Sequence, residues 1–87
     1  MFVIVFYDIG EKRVGKILKT MRKYLKWVQN SVFEGEITNA QLEKLKYELL
    51  SKINPSYDSV IFYTFETMKY SKRYTLGQEK NPDANFF

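Results

Sequence analysis

The chain of 87 residues contains no cysteine and no histidine. Without cysteine it can form neither a disulfide bond nor a catalytic thiolate, which is typical of a protein from a reducing compartment such as the cytoplasm. Without histidine it lacks the commonest general base and a common metal ligand. Any catalysis must therefore depend on carboxylate, tyrosine, lysine or arginine side chains, or on a bound metal ion.

Long apolar runs are also missing. No stretch approaches the roughly 20 apolar residues that a membrane-spanning helix needs. The apolar run at residues 1–7 lacks the basic region and the small-residue cleavage site of a signal peptide. The sequence therefore predicts a cytoplasmic protein without a membrane partner.

Aromatic residues, by contrast, are abundant, with seven Tyr, seven Phe and one Trp. A domain of this size buries only about 60% of the surface that its unfolded chain exposes. A monomer would have difficulty hiding so many rings, which favours an oligomer.

Positive charge is concentrated in one segment. The formal net charge is +4, and half of the 14 basic residues lie between residues 11 and 26, against the single acid Glu11. A solvated helix face would explain many such runs, but a surface of almost one sign favours a polyanionic partner. The candidate contacts are Arg13, Lys16, Lys19, Arg22, Lys23 and Lys26.

Hydrophobic periodicity predicts seven elements in the order β-α-β-β-α-β-β. The predicted strands are 1–8, 27–29, 32–37, 57–65 and 68–76, and the predicted helices are 11–25 and 39–52, the second of which follows a Thr38–Gln41 capping box. The order is that of an α+β, ferredoxin-like sandwich with an additional C-terminal strand. We expect one domain at residues 1–76 and a tail at 77–87, where the final Phe86 and Phe87 are expected to dock on this subunit or another.

Asp8 is a lone carboxylate at the end of the first apolar strand. From the residues alone it either caps the turn into the first helix or holds a metal ion or a proton at the mouth of a site. Glu34 and Glu36 would share one strand face, and we interpret them as solvated or ion-paired residues without a catalytic role.

Three features together resemble the CRISPR-associated protein two family. These are Tyr7-Asp8-Ile9 at the end of the first strand, the stretch Val28-Gln29-Asn30-Ser31-Val32-Phe33-Glu34-Gly35, and the element order in a chain of fewer than 100 residues. The resemblance covers nearly the whole chain. It implies a homodimer that binds nucleic acid (double-stranded DNA or single-stranded RNA) and works with the CRISPR integrase subunit during spacer acquisition.

The resemblance also implies site residues. Asp8 matches the catalytic, metal-binding Asp, which meets its mate across the dimer axis with one shared divalent ion, usually Mg²⁺. Tyr7, Ser31 and Phe33 match supporting positions, and Arg13 matches an arginine at the start of the first helix. Where many members have an Arg before the Val-Gln pair, this chain has Lys26-Trp27, which keeps a positive charge but loses the bidentate guanidinium.

The sequence leaves three functions open. The first is a magnesium-dependent endonuclease with Asp8 at its centre. The second is a non-catalytic DNA-binding scaffold that bridges integrase subunits. The third is a related ferredoxin-like ribonuclease toxin.

Overall fold

A computed structural model describes residues 1–67 and 70–78 of the chain, so that Phe86 and Phe87 lie outside the described residues. The elements follow the predicted order. The strands are β1 (Phe2–Asp8), β2 (Lys26–Gln29), β3 (Val32–Glu36), β4 (Ser59–Thr67) and β5 (Tyr70–Gly77), and the helices are α1 (Glu11–Arg22) and α2 (Asn39–Leu50).

The five strands form one antiparallel sheet in the order β2-β3-β1-β4-β5. β1 is central and pairs with β4 without interruption from Phe2 opposite Phe65 to Asp8 opposite Ser59. The register of the edge strand β2 shifts between Trp27 and Gln29. The predicted mixed architecture, an antiparallel sheet with two helices, is confirmed.

One face of the sheet carries the hydrophobic core. Side chains alternate between the two faces of a strand, and Val3 and Val5 of β1 are completely buried together with Val60 and Phe62 of β4. Both helices contribute to the same cluster with the apolar side chains Ile17, Met21, Leu42, Leu45 and Leu49. Because both helices pack on this face, the core occupies a single layer between helices and sheet.

The helices are slightly shorter than predicted. α1 ends at Arg22 because the chain turns there and directs Leu25, which is only 6% exposed, into the core. The capping box of α2 is present: Gln41 N donates to Thr38 Oγ1 at 3.1 Å, and Thr38 N donates to Gln41 Oε1 at 2.9 Å. Such a cap typically contributes ~1 kcal/mol. Neither helix in the described part of the chain has the length and apolar character needed to cross a membrane.

The opposite face of the sheet, which we call the open face, carries no helix from the described part of the chain. By alternation with the buried valines it presents half-buried apolar side chains of β1 and β4, namely Phe2, Ile4, Phe6, Ile61 and Phe65. Tyr63 lies among them, and its ring meets that of Phe6 edge-on at 5.7 Å. Asp8 belongs to the same face and lies at the end of this apolar stripe.

Candidate metal and nucleic-acid site

Asp8 is the last residue of β1 and is exposed to solvent. Its position in the sheet is fixed by pairing with Ser59 at the start of β4. The next two residues, Ile9 and Gly10, lead directly into α1. The carboxylate therefore stands at the point where the central strand ends and the apolar open face meets solvent.

A second carboxylate, that of Asp58, lies immediately before Ser59, and its side chain is completely buried. Oδ1 accepts hydrogen bonds from Gly10 N and Arg13 Nη2, both at 2.8 Å. Oδ2 accepts hydrogen bonds from Arg13 Nε at 2.5 Å and from Asn54 N at 2.7 Å. The main-chain oxygen of Asp58 also accepts a bond from Gln78 N at 2.8 Å. Asp58 thus connects both turns at this end of the sheet with the end of β5.

The hydrogen bonds leave Asp58 no capacity for a metal ion. A carboxylate offers about four acceptor positions, and four N–H groups occupy them. The bond from Arg13, followed by those from Asn54 and Gly10, holds the pKa of Asp58 well below its ordinary value, although burial opposes the shift. Asp58 is therefore a permanent anion that neutralises Arg13, and Asp8 is the carboxylate of this pair that reaches the surface.

One described chain does not by itself assemble a metal cage. Within residues 1–67 and 70–78, no group of three or more carboxylates comes together. Asp8 supplies a hard oxygen ligand of the kind that Mg²⁺ prefers, and Mg²⁺ often uses only one or two carboxylates together with water. The described residues of one chain therefore provide no complete set of metal ligands around Asp8.

The predicted supporting residues lie together beside Asp8. The backbone N–H of Tyr7 donates to Ser31 O at 3.0 Å, and its hydroxyl donates to Asn30 O at 3.3 Å. The rings of Tyr7 and Phe33 lie 5.9 Å apart between centroids. Phe33 is completely buried, so its role in this structure is to hold Tyr7, and hence the end of β1, against the hairpin that joins β2 and β3.

The predicted basic residues divide into two groups. Arg13 bonds to Asp58, and Lys23 Nζ lies 2.6 Å from Glu48 Oε1. The other four, which make no ion pair with the described residues, are exposed: Lys16, Lys19, Arg22 and Lys26. The nucleic-acid contacts predicted for all six remain predictions; Lys16, Lys19 and Arg22 lie on α1, whereas Lys26 lies on β2 opposite Glu34.

Glu48 links the two helices. It accepts hydrogen bonds from Lys23 and from the Tyr24 hydroxyl. Both bonds lower the pKa of Glu48, and the bond from Lys23 has the larger effect on it. Lys52 Nζ also crosses between the helices and donates to Thr20 Oγ1 at 2.6 Å. The network explains why Lys23 points toward α2 although it belongs to the basic segment.

Sequence reasoning missed the role of Asp58. The residue follows Asn54-Pro55-Ser56, which reads as a simple helix stop, and nothing in the periodicity distinguishes it. One signal was present. Asp58 directly precedes β4, which pairs with β1, and it therefore lies at the end of the sheet where the chain leaves β1 and enters α1 with Arg13.

Comparison with known proteins gives one consistent result. Residues 1–73 match the family described as CRISPR associated protein Cas2. A protein of Dictyoglomus turgidum named CRISPR-associated endoribonuclease Cas2 is 57% identical over 81 residues, which cover 93% of each chain. A protein of the same name from Thermotoga maritima is 53% identical over 87 residues and the full length of both chains. A solved structure titled as a crystal structure of Cas2 has a TM-score of 0.74 and 38% identity, and covers 100% of this chain and 98% of its own.

Replacement of Asp58 tests its structural role. We expect Asp58→Ala to lower the free energy of unfolding at pH 7 by about 2–4 kcal/mol, because it leaves Arg13 and two backbone N–H groups without their acceptor. Since the pKa of Asp58 is depressed in the folded state, its stabilisation is complete above the ordinary aspartate value of about 3.9 and decreases as the pH falls below it. The variant should therefore show a flatter loss of stability in acid, measured by urea unfolding from pH 7 to pH 2.

Glu43→Ala is the matched control, because it removes a carboxylate that is 71% exposed and pairs with Lys46 on the surface of α2. It should leave stability and its pH dependence nearly unchanged. Equal stability of Asp58→Ala and the unmodified chain at pH 7 would contradict the assignment.

Proposed function

Because this chain belongs to the CRISPR-associated Cas2 family, we propose that it is a CRISPR spacer-acquisition protein of the metal-dependent endonuclease type. Membership of this family is the prediction made from Tyr7-Asp8-Ile9, the stretch Val28–Gly35 and the element order, and it is confirmed. The names of the curated relatives support hydrolysis of phosphodiester bonds in RNA. We infer that the protein acts in the cytoplasm without a membrane partner.

The proposal rests on an exposed carboxylate, that of Asp8, at the end of an apolar sheet face that carries no helix within residues 1–67 and 70–78. The open face consists of Phe2, Ile4 and Phe6 of β1 with Ile61 and Phe65 of β4. A second copy of this ferredoxin-like chain that covers the face would remove these side chains from water, which is favourable. The same contact would bring the two Asp8 residues toward a common axis.

The proposed cofactor is one Mg²⁺ ion per dimer. Each Asp8 would contribute one carboxylate, and the pair would meet the small number of protein ligands that Mg²⁺ commonly accepts. When bound, the ion would polarise a phosphate group and lower the pKa of a bound water, which supplies a nucleophile in a chain without histidine. Asp58 would contribute indirectly, because it holds the turn that follows Asp8.

The proposed substrate surface is the exposed group of cations Lys16, Lys19 and Arg22 on α1, while the fourth exposed cation, Lys26, lies on β2 in register with Glu34. Lysine and arginine bind phosphates by charge, which gives sequence-tolerant binding that weakens as salt rises. The dimer would carry two such surfaces. These cations do not depend on Asp8 for their position, which supports a second function: a nucleic-acid-binding scaffold that bridges CRISPR integrase subunits on double-stranded DNA without its own hydrolysis.

Asp8→Asn separates the two functions. We expect the variant to fold and to form the same oligomer, while its metal-dependent cleavage of RNA and DNA falls by at least about 100-fold, since loss of even an outer-shell metal partner costs 10–100-fold. Cleavage is measured on labelled single-stranded RNA and duplex DNA, with Mg²⁺ and with a chelator. Glu43→Gln is the matched control, because Glu43 is a 71% exposed carboxylate on α2, away from the open face, and it should retain activity.

Undiminished cleavage by Asp8→Asn would contradict the catalytic role. Binding without any cleavage by the unmodified chain would favour the scaffold function.

Removal of charge from α1 tests the proposed nucleic-acid surface. The double variant Lys16→Gln/Lys19→Gln should weaken duplex binding about tenfold at low salt and reduce the slope of affinity against salt concentration by about two. The measurement is fluorescence anisotropy of a labelled duplex between 50 and 200 mM salt, roughly the range over which phosphate contacts are resolved.

The double variant Lys44→Gln/Lys46→Gln on α2 carries the same change in net charge and should leave both the affinity and the salt slope close to those of the unmodified chain. Equal losses in the two double variants would show that only net charge matters and would contradict a specific surface on α1.

A further inference from the structure

Two aromatic side chains donate to one carbonyl at the hairpin between β2 and β3. Trp27 Nε1 donates to Asn30 O at 2.9 Å, and the Tyr7 hydroxyl donates to the same oxygen at 3.3 Å. A carbonyl oxygen has two lone pairs and can accept both bonds. Asn30 has a φ of 42°, in the left-handed region that Asn tolerates better than most residues, and this conformation forms the hairpin tip.

The Trp27 ring is held in place but is not part of the core. Its residue is 57% exposed, and the core cluster does not include it. A fixed and exposed ring offers a flat surface that needs little further ordering when another flat group binds to it. Burial of the indole in the fold therefore does not explain its presence on β2.

Positive charge without an ion-pair partner lies on the helix that contacts β2. The last turn of α1 carries Lys19 and Arg22. This helix packs on the face of the sheet to which Trp27 and its partner Phe33 belong, whereas Lys26 lies on the other face in register with Glu34. Neither Lys19 nor Arg22 makes an ion pair with the described residues. Cations for the backbone beside an aromatic face for a base are what proteins use to bind single-stranded nucleic acid.

We propose that Trp27 is a stacking platform for an unpaired nucleobase. The inference rests on the proposed function and deepens it, because it assigns a preference for single-stranded segments to the same protein. Tyr7 precedes Asp8 on β1 and shares the Asn30 carbonyl with Trp27, so the platform and the Asp8 carboxylate lie at the same end of the sheet. Bases within a duplex are stacked on each other and cannot present a free face to the ring.

The chain contains a single Trp, so fluorescence excited at a wavelength that tyrosine does not absorb reports on this ring alone. The full-length protein is titrated with four probes of equal length: oligo-U, oligo-dT, an abasic deoxyribose-phosphate chain and a DNA duplex. Stacking predicts strong quenching by both single strands, with their difference showing any preference for RNA or DNA, and little quenching by the abasic chain or the duplex. Anisotropy of labelled versions of the same probes measures binding separately.

Binding without quenching by the single strands would overturn the platform and leave the proposed function intact. Equal quenching by the abasic chain would also overturn it, because phosphates alone would then be responsible. Absence of binding by every probe would instead contradict the proposed function. A blue-shifted emission that acrylamide does not quench would show that a second copy covers Trp27, which also overturns the platform.

Variants give an independent measurement by anisotropy. Trp27→Leu should weaken binding of single strands by about 5- to 100-fold and leave duplex binding unchanged, whereas Trp27→Phe, which keeps an aromatic face, should recover part of the loss. Val28→Thr, at a neighbouring residue that is 41% exposed, is the matched control and should bind normally. Equal effects of Trp27→Leu on single strands and duplex would overturn the proposal. If the variant does not fold, the fluorescence titration of the unmodified chain decides.

Discussion

Asp58 is a buried carboxylate with four N–H donors, and the end of the sheet that carries the candidate site depends on it. Its two oxygens join the turn after β1, the first turn of α1 and the loop before β4, while its main-chain oxygen binds Gln78 after β5. Gly77 fits this arrangement because it has a φ of 85° and because a Cβ there would lie 2.2 Å from the Asp58 oxygen. A buried charge persists only when it is fully compensated, and here the compensation fixes four segments at once.

Two of the ion pairs stabilise the fold, and they involve other residues than the charged groups that we propose to bind metal or phosphate. Arg13 and Asp58 neutralise each other inside the fold, and Lys23 and Glu48 do so between the helices. Asp8 and the cations Lys16, Lys19 and Arg22 lie on the surface. The groups that we propose to bind metal and phosphate are therefore not needed for the ion pairs that stabilise the fold. The open face would supply the apolar contact through which a second copy completes the site.

Much of the fold is predictable because local signals agree with one another. The capping box at Thr38 and Gln41, the apolar run that ends at Asp8 and the 3.6-residue period of α1 each specify one element, and the structure has all three. The family can also be predicted from the sequence, because the stretch Val28–Gly35 is a specific signal. The Asp58 network cannot, because it joins residues up to 48 positions apart, and its one signal, an aspartate directly before β4, is informative only once β4 is known to pair with β1.

The candidate site also has a part that the sequence predicts and a part that only the tertiary structure shows. The sequence places Tyr7, Ser31 and Phe33 among the supporting residues, and the structure brings them together through a backbone bond and a ring contact. The sequence predicts a nucleic-acid contact for every basic residue from Arg13 to Lys26, whereas the fold pairs Arg13 and Lys23 with buried or half-buried acids. Which cation is neutralised depends on the packing of α1 against α2 and against the loop before β4, and that packing is a tertiary property.

We propose that the metal site forms only when two chains meet, with both Asp8 carboxylates on one ion. The most direct measurement is the stoichiometry of Mn²⁺ bound in place of Mg²⁺, determined by electron paramagnetic resonance of the free ion in a titration of the full chain. The account predicts one ion for every two chains and loss of that ion in Asp8→Asn. Binding of one ion to every chain, or unchanged binding in Asp8→Asn, would contradict it.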